Sequence, residues 1–427
     1  MLKTLGKGVL VLAVLAGITL GVLRVVWGRQ LASEMEAIKA RGEPLSMADI
    51  PQPQVPDSQN AALIYEQAFR ALPKSDNVGE IMKALKKGDP ASLARAAELL
   101  KPYERAIGLT EKAASMPQCL FPPMSRGDYR NTPEAKLRNL AYILGYKARV
   151  SAGQGDAGGA VRFIKLQLQM GHRPSKENSL IAYYSKANTY IASSALKKSA
   201  EKVTINEAQA RDLYETFGRL DVRQMYVNML QAQRAYTSDG LTATRTDFKR
   251  WYRKIAGPGH NPRPLWKDPK GLIWVKVFSI KDQTVYVHCM TQMIDCVDMT
   301  YREFKSRGIG EKGIPFYAIV ASAHIGVHTN IFTGYCRSRA EIVGSRIFLA
   351  LLAYHDKYGT YPQSLDELRA KLKWPLEKDP FTGEDFVYRR EGNGFILYSL
   401  DEDLKDNGGL PAAKYGEPRD IVWTVHR

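Results

Sequence analysis

The sequence predicts a mainly α-helical protein with an N-terminal transmembrane helix, an α-helical body of helical hairpins and a small α+β module at the C-terminus. Three observations predict this fold class: an apolar run near the N-terminus, apolar residues at helical spacing through most of the chain, and aromatic and β-branched runs near its end. We therefore divide the 427 residues into a transmembrane signal anchor (1–29), a juxtamembrane helix with a Pro-rich linker (30–57), a helical body (58–336) and the C-terminal module (337–427).

The N-terminal segment has the composition of a membrane-spanning helix. Residues 8–23 are apolar or small apart from one Thr, and the run counted from Leu5 to Trp27 is long enough to cross a bilayer. Trp27 would then lie at the interface, and Arg24 would extend its guanidinium toward the headgroups. A cleaved signal peptide is the alternative. Because no Ala-x-Ala site follows the apolar run, we predict an uncleaved anchor.

Helical patterns dominate the body that follows the linker. Apolar residues recur at helical spacing over 60–72, 81–85, 91–109, 137–152, 179–202, 206–236, 285–305 and 314–332. Residues 155–160, followed by 161–164, are similar to the turn and second-helix start of a tetratricopeptide repeat. One such unit is not an array, so an ordinary helical hairpin is the alternative.

A basic, aromatic insertion interrupts the body at 241–281. The chain has 61 Lys and Arg against 44 Asp and Glu, a formal charge of +17, and this insertion holds ten basic residues against two Asp. Cations interleaved with aromatic rings are typical of surfaces that bind polyanions, here wall polymer, acidic lipid or, least favoured, nucleic acid. The predicted polyanion-binding residues are Arg245, Lys249, Arg250, Trp251, Arg253 and Lys254. A solvated basic loop packed on the body is the alternative.

No complete catalytic motif is found in the sequence. His324 and His328 have the i, i+4 spacing of zinc ligands, but no Glu follows His324, so the metalloprotease pattern is not met. Residues 194–197 match Ser-x-x-Lys, yet Lys-Thr-Gly is missing from the sequence. We therefore predict a non-enzymatic protein. The four cysteines are expected to be buried thiols.

The C-terminal module shows a helix, a tight turn, a hairpin and an acidic loop in that order. Apolar spacing predicts a helix over 339–358 that ends at Gly359, followed by a polar segment over 363–373. The Pro and Gly of 379–383 predict the turn, and strands are predicted over 386–390 and 395–400 with a hairpin loop at 391–394. The acidic residues beyond the hairpin are Asp401, Glu402, Asp403 and Asp406.

This order resembles the globular head of the major pseudopilin of bacterial type II secretion systems. The similar stretches are ALLAYHDKYGTYP (350–362), DPFTG (379–383), LYSLDED (397–403) and DIVW (420–423). The resemblance implies a calcium ion in the acidic loop, held by the Leu400 carbonyl and the Asp403 carboxylate, with Asp420 nearby. A bare acidic turn is the alternative. The resemblance also implies a single-pass protein of the bacterial inner membrane with most of its chain outside the cytoplasm.

These features together predict a non-enzymatic function. Our leading hypothesis is a membrane-anchored extracytoplasmic scaffold or adaptor that binds a protein partner in secretion or envelope assembly. The second hypothesis is a polyanion-binding protein that uses the insertion at 241–281. A hydrolase of unknown type is the third, since carboxylates from different helices can converge without leaving a motif in the sequence.

Overall fold

The computed structural model describes residues 2–50, 54–73, 77–121, 132–177, 182–246, 274–308, 315, 318–411 and 420–425; the side chains of 2–9, 13, 171–177, 182–187, 246, 276 and 324–328 lie outside this description. The chain forms two compact units. The first comprises Met1–Gln52, Val227–Asp298 and Arg307–Ile331, and the second comprises Pro53–Tyr226, Met299–Ser306 and Phe332–Arg427.

Helices make up most of the described chain, as predicted. They are α1 (Leu2–Ala40), α2 (Ala61–Arg70), α3 (Val78–Lys87), α4 (Pro90–Leu100), α5 (Glu104–Ser115), α6 (Pro133–Gly153), α7 (Ala157–Glu177), α8 (Ala182–Ala200), α9 (Glu207–Gly218), α10 (Val222–Thr246), α11 (Ser279–Asp295), α12 (Tyr301–Arg307), α13 (Ile319–Tyr358) and α14 (Leu365–Leu372). The strands are β1 (Val387–Glu391), β2 (Gly394–Ser399) and β3 (Ile421–Val425).

Helix α1 carries the apolar run and continues beyond it without a break, which confirms the predicted juxtamembrane helix as far as Ala40. Large apolar side chains are exposed from Leu10 to Val26, whereas Leu31 and Ile38 are buried. Within the described residues, α1 is the one helix long and apolar enough to cross a membrane, a property that a signal sequence shares. The change from exposed to buried side chains marks where α1 joins the packed part of the first unit.

In the first unit, α1 packs along α11 in parallel. The contacts occur in the same order along both helices: Gln30 with Lys281 at 3.0 Å, Glu34 with His288 at 2.9 Å, and Arg41 with Asp295 at 2.6 Å. The ring of Trp27 lies 6.4 Å from that of Phe278, just before α11 begins. The start of α11 therefore lies level with the end of the apolar run.

Helix α10 runs antiparallel to α11. Tyr286 of α11 donates to the carbonyl of Gln233 on α10 at 3.1 Å. Gln283, which precedes Tyr286 on α11, donates at 2.8 Å to the hydroxyl of Ser238, which follows Gln233 on α10. The C-terminal end of α10 and the N-terminal end of α11 consequently lie at the same end of this unit. This is also the end from which the apolar part of α1 projects.

The N-terminus of α13 is capped by Asp282, a buried residue of α11. Its carboxylate accepts from the Val320 and Ala321 amides, each at 2.9 Å, and from Trp274 Nε1 at 3.1 Å. Without this carboxylate, the two amides at the start of α13 and the N–H of the buried indole would lose these hydrogen bonds. Residues 333–338 continue the helix, so the helices predicted over 314–332 and 339–358 form one.

The second unit is built from paired helices, as the prediction of helical hairpins requires. The turn between α6 and α7 contains Gly155 at φ 82°, and Asp156 accepts from the Gly159 amide at 2.8 Å to start α7. Helix α8 packs against both α6 and α7. The prediction of one helix over 206–236 is wrong, because Asp221 caps a new helix by accepting from the Gln224 amide at 2.9 Å.

The C-terminal region of this unit confirms the predicted turn and hairpin. Gly359 ends α13 with φ 71°, and Gly383 closes the tight turn with φ 80°. The antiparallel strands β1 and β2 pair Glu391 with Gly394. The loop therefore has two residues, and Gly392 at φ 56° supplies the positive φ that a type II′ turn needs first.

Two elements of this region differ from the prediction. Residues 363–373 are not a polar connection but contain α14, which Ser364 caps by accepting from the Glu367 amide at 3.2 Å. Ser followed three residues later by Glu is a helix-start signature that was present in the sequence. Strand β3 was also missed. It pairs antiparallel with β2, which places β2 in the centre of the sheet and buries it completely.

Candidate functional site

The acidic loop begins where β2 ends, and a buried carboxylate, that of Asp379, fixes its start. This carboxylate accepts hydrogen bonds from Phe381 N at 2.9 Å, Ser399 Oγ at 2.9 Å, Thr382 Oγ1 at 3.4 Å and the Leu400 amide. Burial raises the pKa of Asp379, and these hydrogen bonds oppose the rise. Asp379 thereby joins the tight turn to the last residues of β2.

Arg337 of α13 holds the first two acids of the loop. Its Nε lies 2.9 Å from Asp401 Oδ1, and its Nη2 lies 3.3 Å from Glu402 Oε1. Burial raises the pKa of Asp401, while Arg337 lowers it. Asp401 and Leu404 have φ values of 53° and 54°, which are uncommon for residues other than Gly. Arg337 therefore neutralises part of the acidic cluster and stabilises a strained backbone.

The next two acids are held by contacts within the loop and its strand. Asp403 accepts from the Lys405 amide at 3.1 Å and from Asn407 Nδ2 at 3.2 Å. Tyr398 donates to Asp406 Oδ1 at 2.8 Å. Burial, together with this hydrogen bond, raises the pKa of Tyr398 to about 12. The Tyr398 hydroxyl therefore stays protonated and keeps Asp406 in place.

Asp420 is a buried carboxylate that lies directly before β3. It is 4% exposed, and its Oδ2 accepts from the Gly409 amide at 2.7 Å. Its Oδ1 has no hydrogen-bond partner in the part of the chain that the structure describes. Burial raises the pKa of Asp420, which the Gly409 and Asn407 donors oppose. Asn407 contacts both Asp403 and Asp420, so the two predicted calcium ligands lie on either side of it.

The third predicted ligand, Leu400, contacts Asp379 through its amide, and its carbonyl lies at the entry to the loop. Across the residues that the structure describes, no group of three or more His, Cys, Asp or Glu side chains is arranged to hold a metal ion. A cation in this loop would therefore depend on backbone carbonyl and water oxygens as well as on Asp403 and Asp420, which calcium accepts.

A buried junction around Trp423 had no counterpart in the sequence prediction. The indole Nε1 lies 3.3 Å from Ser193 Oγ and 3.4 Å from Ser345 Oγ, and these two hydroxyls are 2.9 Å apart. Lys197 donates to the Val422 carbonyl at 3.1 Å, and its Nζ lies 4.8 Å from the centroid of the Trp423 ring. The junction fastens β3 to α8 and α13. The one sequence signal was a large aromatic residue in a β-branched run.

Arg245 is the predicted polyanion-binding residue that the structure describes. The others, which lie outside the described residues, are Lys249, Arg250, Trp251, Arg253 and Lys254. Arg245 Nη2 donates to Gln283 Oε1 at 2.6 Å, while Nη1 is buried and has no hydrogen-bond partner among the described residues. Burial lowers the pKa of Arg245, and the nearby Arg24 lowers it further.

The prediction of buried thiols is confirmed for three of the four cysteines. Three free cysteines are buried and Cys289 is half-buried; the buried ones are Cys119, Cys296 and Cys336. Burial raises the pKa of Cys336 to about 12, the direction expected for a thiol in apolar surroundings. The side chains of His324 and His328 lie outside the described residues, so the zinc spacing stays a prediction.

No protein-family model matches the chain, and no curated protein or solved structure matches it either. Three features of the molecule bear on its function: the apolar helix α1, the acidic loop and the partly buried Arg245.

Proposed function

We propose that this protein is a membrane-anchored, extracytoplasmic scaffold of the bacterial inner membrane that presents a pseudopilin-like module to a protein partner in the envelope. The observation that carries the proposal is that α1, exposed and apolar from Leu10 to Val26, runs without a break into a packed helical unit. An anchor of this kind holds the helices beside the membrane. Secretion or envelope assembly is the process that such an architecture fits.

The exposed tip of the β1–β2 hairpin is the element we assign to partner binding. Glu391, Gly392 and Asn393 are exposed, whereas every residue of β2 is buried, so the tip and not β2 is open to a partner. A short, fixed turn at the tip loses little conformational entropy on binding.

A photo-crosslinking residue at position 393 of the full-length protein is expected to form a discrete adduct with one envelope protein. The same partner should be captured from position 391, because both positions lie on the tip. Position 82 serves as the control, since Met82 is 52% exposed and lies on α3 rather than on the hairpin. The measurement is mass spectrometry of adducts formed in membranes. Identical adducts from positions 82 and 393, or no adduct from the hairpin, would contradict the proposal that the hairpin tip binds a partner.

We further propose that the acidic loop binds calcium through the carboxylates of Asp403 and Asp420 and the Leu400 carbonyl. Support comes from the buried Oδ1 of Asp420, which finds no donor among the described residues. An ionised carboxylate with an unsatisfied buried oxygen is costly, and a hard cation relieves that cost. The nearby Asp406 raises the pKa of Asp420 and would favour the same cation.

Calcium at one hundred times its dissociation constant is expected to stabilise the second unit by about 2.7 kcal/mol if it binds only the folded state. Asp403→Ala should abolish this gain, measured as the melting temperature of the full-length protein in calcium and in chelator. In chelator, the raised pKa of Asp420 means that its contribution to stability is present at acidic pH and is lost as pH rises through the folded-state pKa. Asp420→Asn should therefore reduce that loss in chelator and weaken the gain from calcium.

The matched control for these variants is Asp366→Asn. The Asp366 side chain is 89% exposed, on α14 of the same region. Asp366→Asn should leave the response of the melting temperature to calcium unchanged. Equal melting temperatures of the wild type in calcium and in chelator would contradict the calcium proposal and leave a bare acidic turn.

Binding of a polyanion is the second candidate function. The observation that favours it is Arg245, which combines a buried Nη1 that has no hydrogen-bond partner among the described residues with a second arginine nearby. An arginine in this state is an incomplete ion pair, which an external anion would complete.

A further inference from the structure

Basic side chains gather at one end of the first unit, where α1 leaves its apolar run. Arg24 lies one turn before Trp27 on α1, and Arg245 lies in the last turn of α10. Lys281 lies in the first turn of α11, which begins level with Trp27. Three helices therefore bring cations to the level at which a bilayer spanned by α1 would end.

Arg245 is positioned by a buried hydrogen-bond network. Gln283, whose side chain is fully buried, donates from Nε2 to Ser238 Oγ at 2.8 Å and to Thr242 Oγ1 at 3.1 Å. Its Oε1 then accepts from Arg245 Nη2 at 2.6 Å. A guanidinium held through one nitrogen keeps a fixed direction, and the planar fork of an arginine suits an oxyanion.

The charge of Arg245 is not balanced by the protein residues described around it. No ion pair among the described residues includes Arg245, and the charged group that acts on it is Arg24, a second cation. Its Nη1 is buried and has no hydrogen-bond partner in the described chain. A buried donor of a guanidinium that lacks a partner is unfavourable, because burial weakens solvation of the charge. An anion that contacts Arg245 would remove this penalty, and the nearby Arg24 would attract the same anion.

We propose that Arg24 and Arg245 bind the phosphate of an anionic phospholipid headgroup in the bilayer that α1 crosses. This inference rests on the proposed membrane anchor, and it narrows the polyanion to a lipid. The position of Arg24 favours a lipid over other polyanions. Arg24 lies within the last turn of the apolar run, where headgroup phosphates are the abundant anions. Wall polymer would not reach below the level of Trp27.

Binding of dihexanoyl phosphatidylglycerol to the detergent-purified full-length protein tests the proposal. Isothermal titration should show tighter binding of this lipid than of dihexanoyl phosphatidylcholine. Arg245→Gln should weaken binding about fivefold, as expected for one basic residue near a membrane surface. Adding Arg24→Gln should weaken it further. Arg245→Lys keeps the charge and loses the fork, so its affinity should lie between those of the wild type and Arg245→Gln.

The matched control is Arg70→Gln, which also removes one positive charge from a helix end. The Arg70 side chain is 80% exposed in the second unit, and its loss should not change lipid affinity. Thermal unfolding of each variant separates lost binding from lost folding. Wild-type affinity in folded Arg245→Gln, or equal affinity for the two lipids, would overturn the proposal. Equally tight binding of inorganic phosphate with the same dependence on Arg245 would overturn the lipid as the source of the anion.

Extraction of cell membranes with alkaline carbonate separates this inference from the proposed function. The full-length protein should stay in the pellet with its first residues intact, and Arg245→Gln should stay there as well, because the apolar run rather than one arginine provides the anchor. Recovery of a soluble form that begins near residue 30 would overturn the anchor, and with it the bilayer as the site of binding. If the protein is anchored but its lipid affinity does not depend on Arg245, only the proposed lipid site is overturned.

Discussion

Replacing Trp423 with alanine is expected to lower the free energy of unfolding of the second unit by about 3–5 kcal/mol, the range for removal of a buried aromatic side chain. Trp423 is fully buried, and its ring lies 5.9 Å from that of Phe386. Ser193 and Ser345 can keep the hydrogen bond between them after the substitution, at 2.9 Å, so the loss comes mainly from the cavity. Denaturant unfolding monitored by hydrogen exchange of the β2 and β3 amides measures the effect locally.

Two variants show whether this loss belongs to the junction. Trp423→Phe keeps an aromatic ring but removes the N–H donor, so it should cost less than Trp423→Ala. Leu410→Ala removes an apolar side chain that is 56% exposed, and it should change stability by less than about 0.5 kcal/mol. A loss of under about 1 kcal/mol in Trp423→Ala would mean that β3 contributes little to the fold.

Glu43→Ala is expected to destabilise the first unit by about 3–5 kcal/mol, because it leaves a buried cation without its partner. Arg234 is 2% exposed, and its Nη2 lies 2.6 Å from Glu43 Oε2. The other Glu43 oxygen lies 2.6 Å from Arg41 Nε. After the substitution, Thr291 still accepts from Arg234 Nη1, but no charge balances the guanidinium. Thermal unfolding read through exchange of the α10 and α11 amides measures the loss.

A double substitution distinguishes the buried charge from loss of packing. Glu43→Leu with Arg234→Met removes both charges and fills similar volume, so stability should recover to near the wild-type value. Glu80→Ala is the control, because its ion pair with Arg95 spans 3.5 Å and both side chains are more than half exposed. Its loss should cost less than about 1 kcal/mol. If the double variant is as unstable as Glu43→Ala, the charge is not the cause.

Structural features that depend on residues close together in the sequence were predicted well. The apolar run of α1, the turn at 379–383 and the β1–β2 hairpin depend on hydrophobic spacing and on Gly at positions of positive φ. The start of α14 also had a local signal, Ser364 followed by Glu367, and it was missed because the segment is polar. Local chemistry of this kind can be read without knowing the path of the chain.

The candidate loop was predicted in part. The acids at 401–406 were identified, and Asp403 and Asp420 do lie near each other through Asn407. The pairing of Asp401 with Arg337 was not foreseen, because these residues are 64 positions apart. An acidic cluster in a sequence shows only its charges; whether they repel, pair or bind a cation depends on which side chains fold against them.

The helical character of the chain, its apolar N-terminal helix and its local turns could be predicted from the sequence, since each follows from spacing or from the φ preferences of a few adjacent residues. The contacts that carry the largest expected effects depend on tertiary packing. Arg234 meets Glu43 across 191 positions, and Trp423 meets Ser193 across 230. Gly344 lies opposite Trp423, where a Cβ would come within 2.3 Å of the indole. Such contacts form only when distant segments pack together, so no local pattern of residues records them.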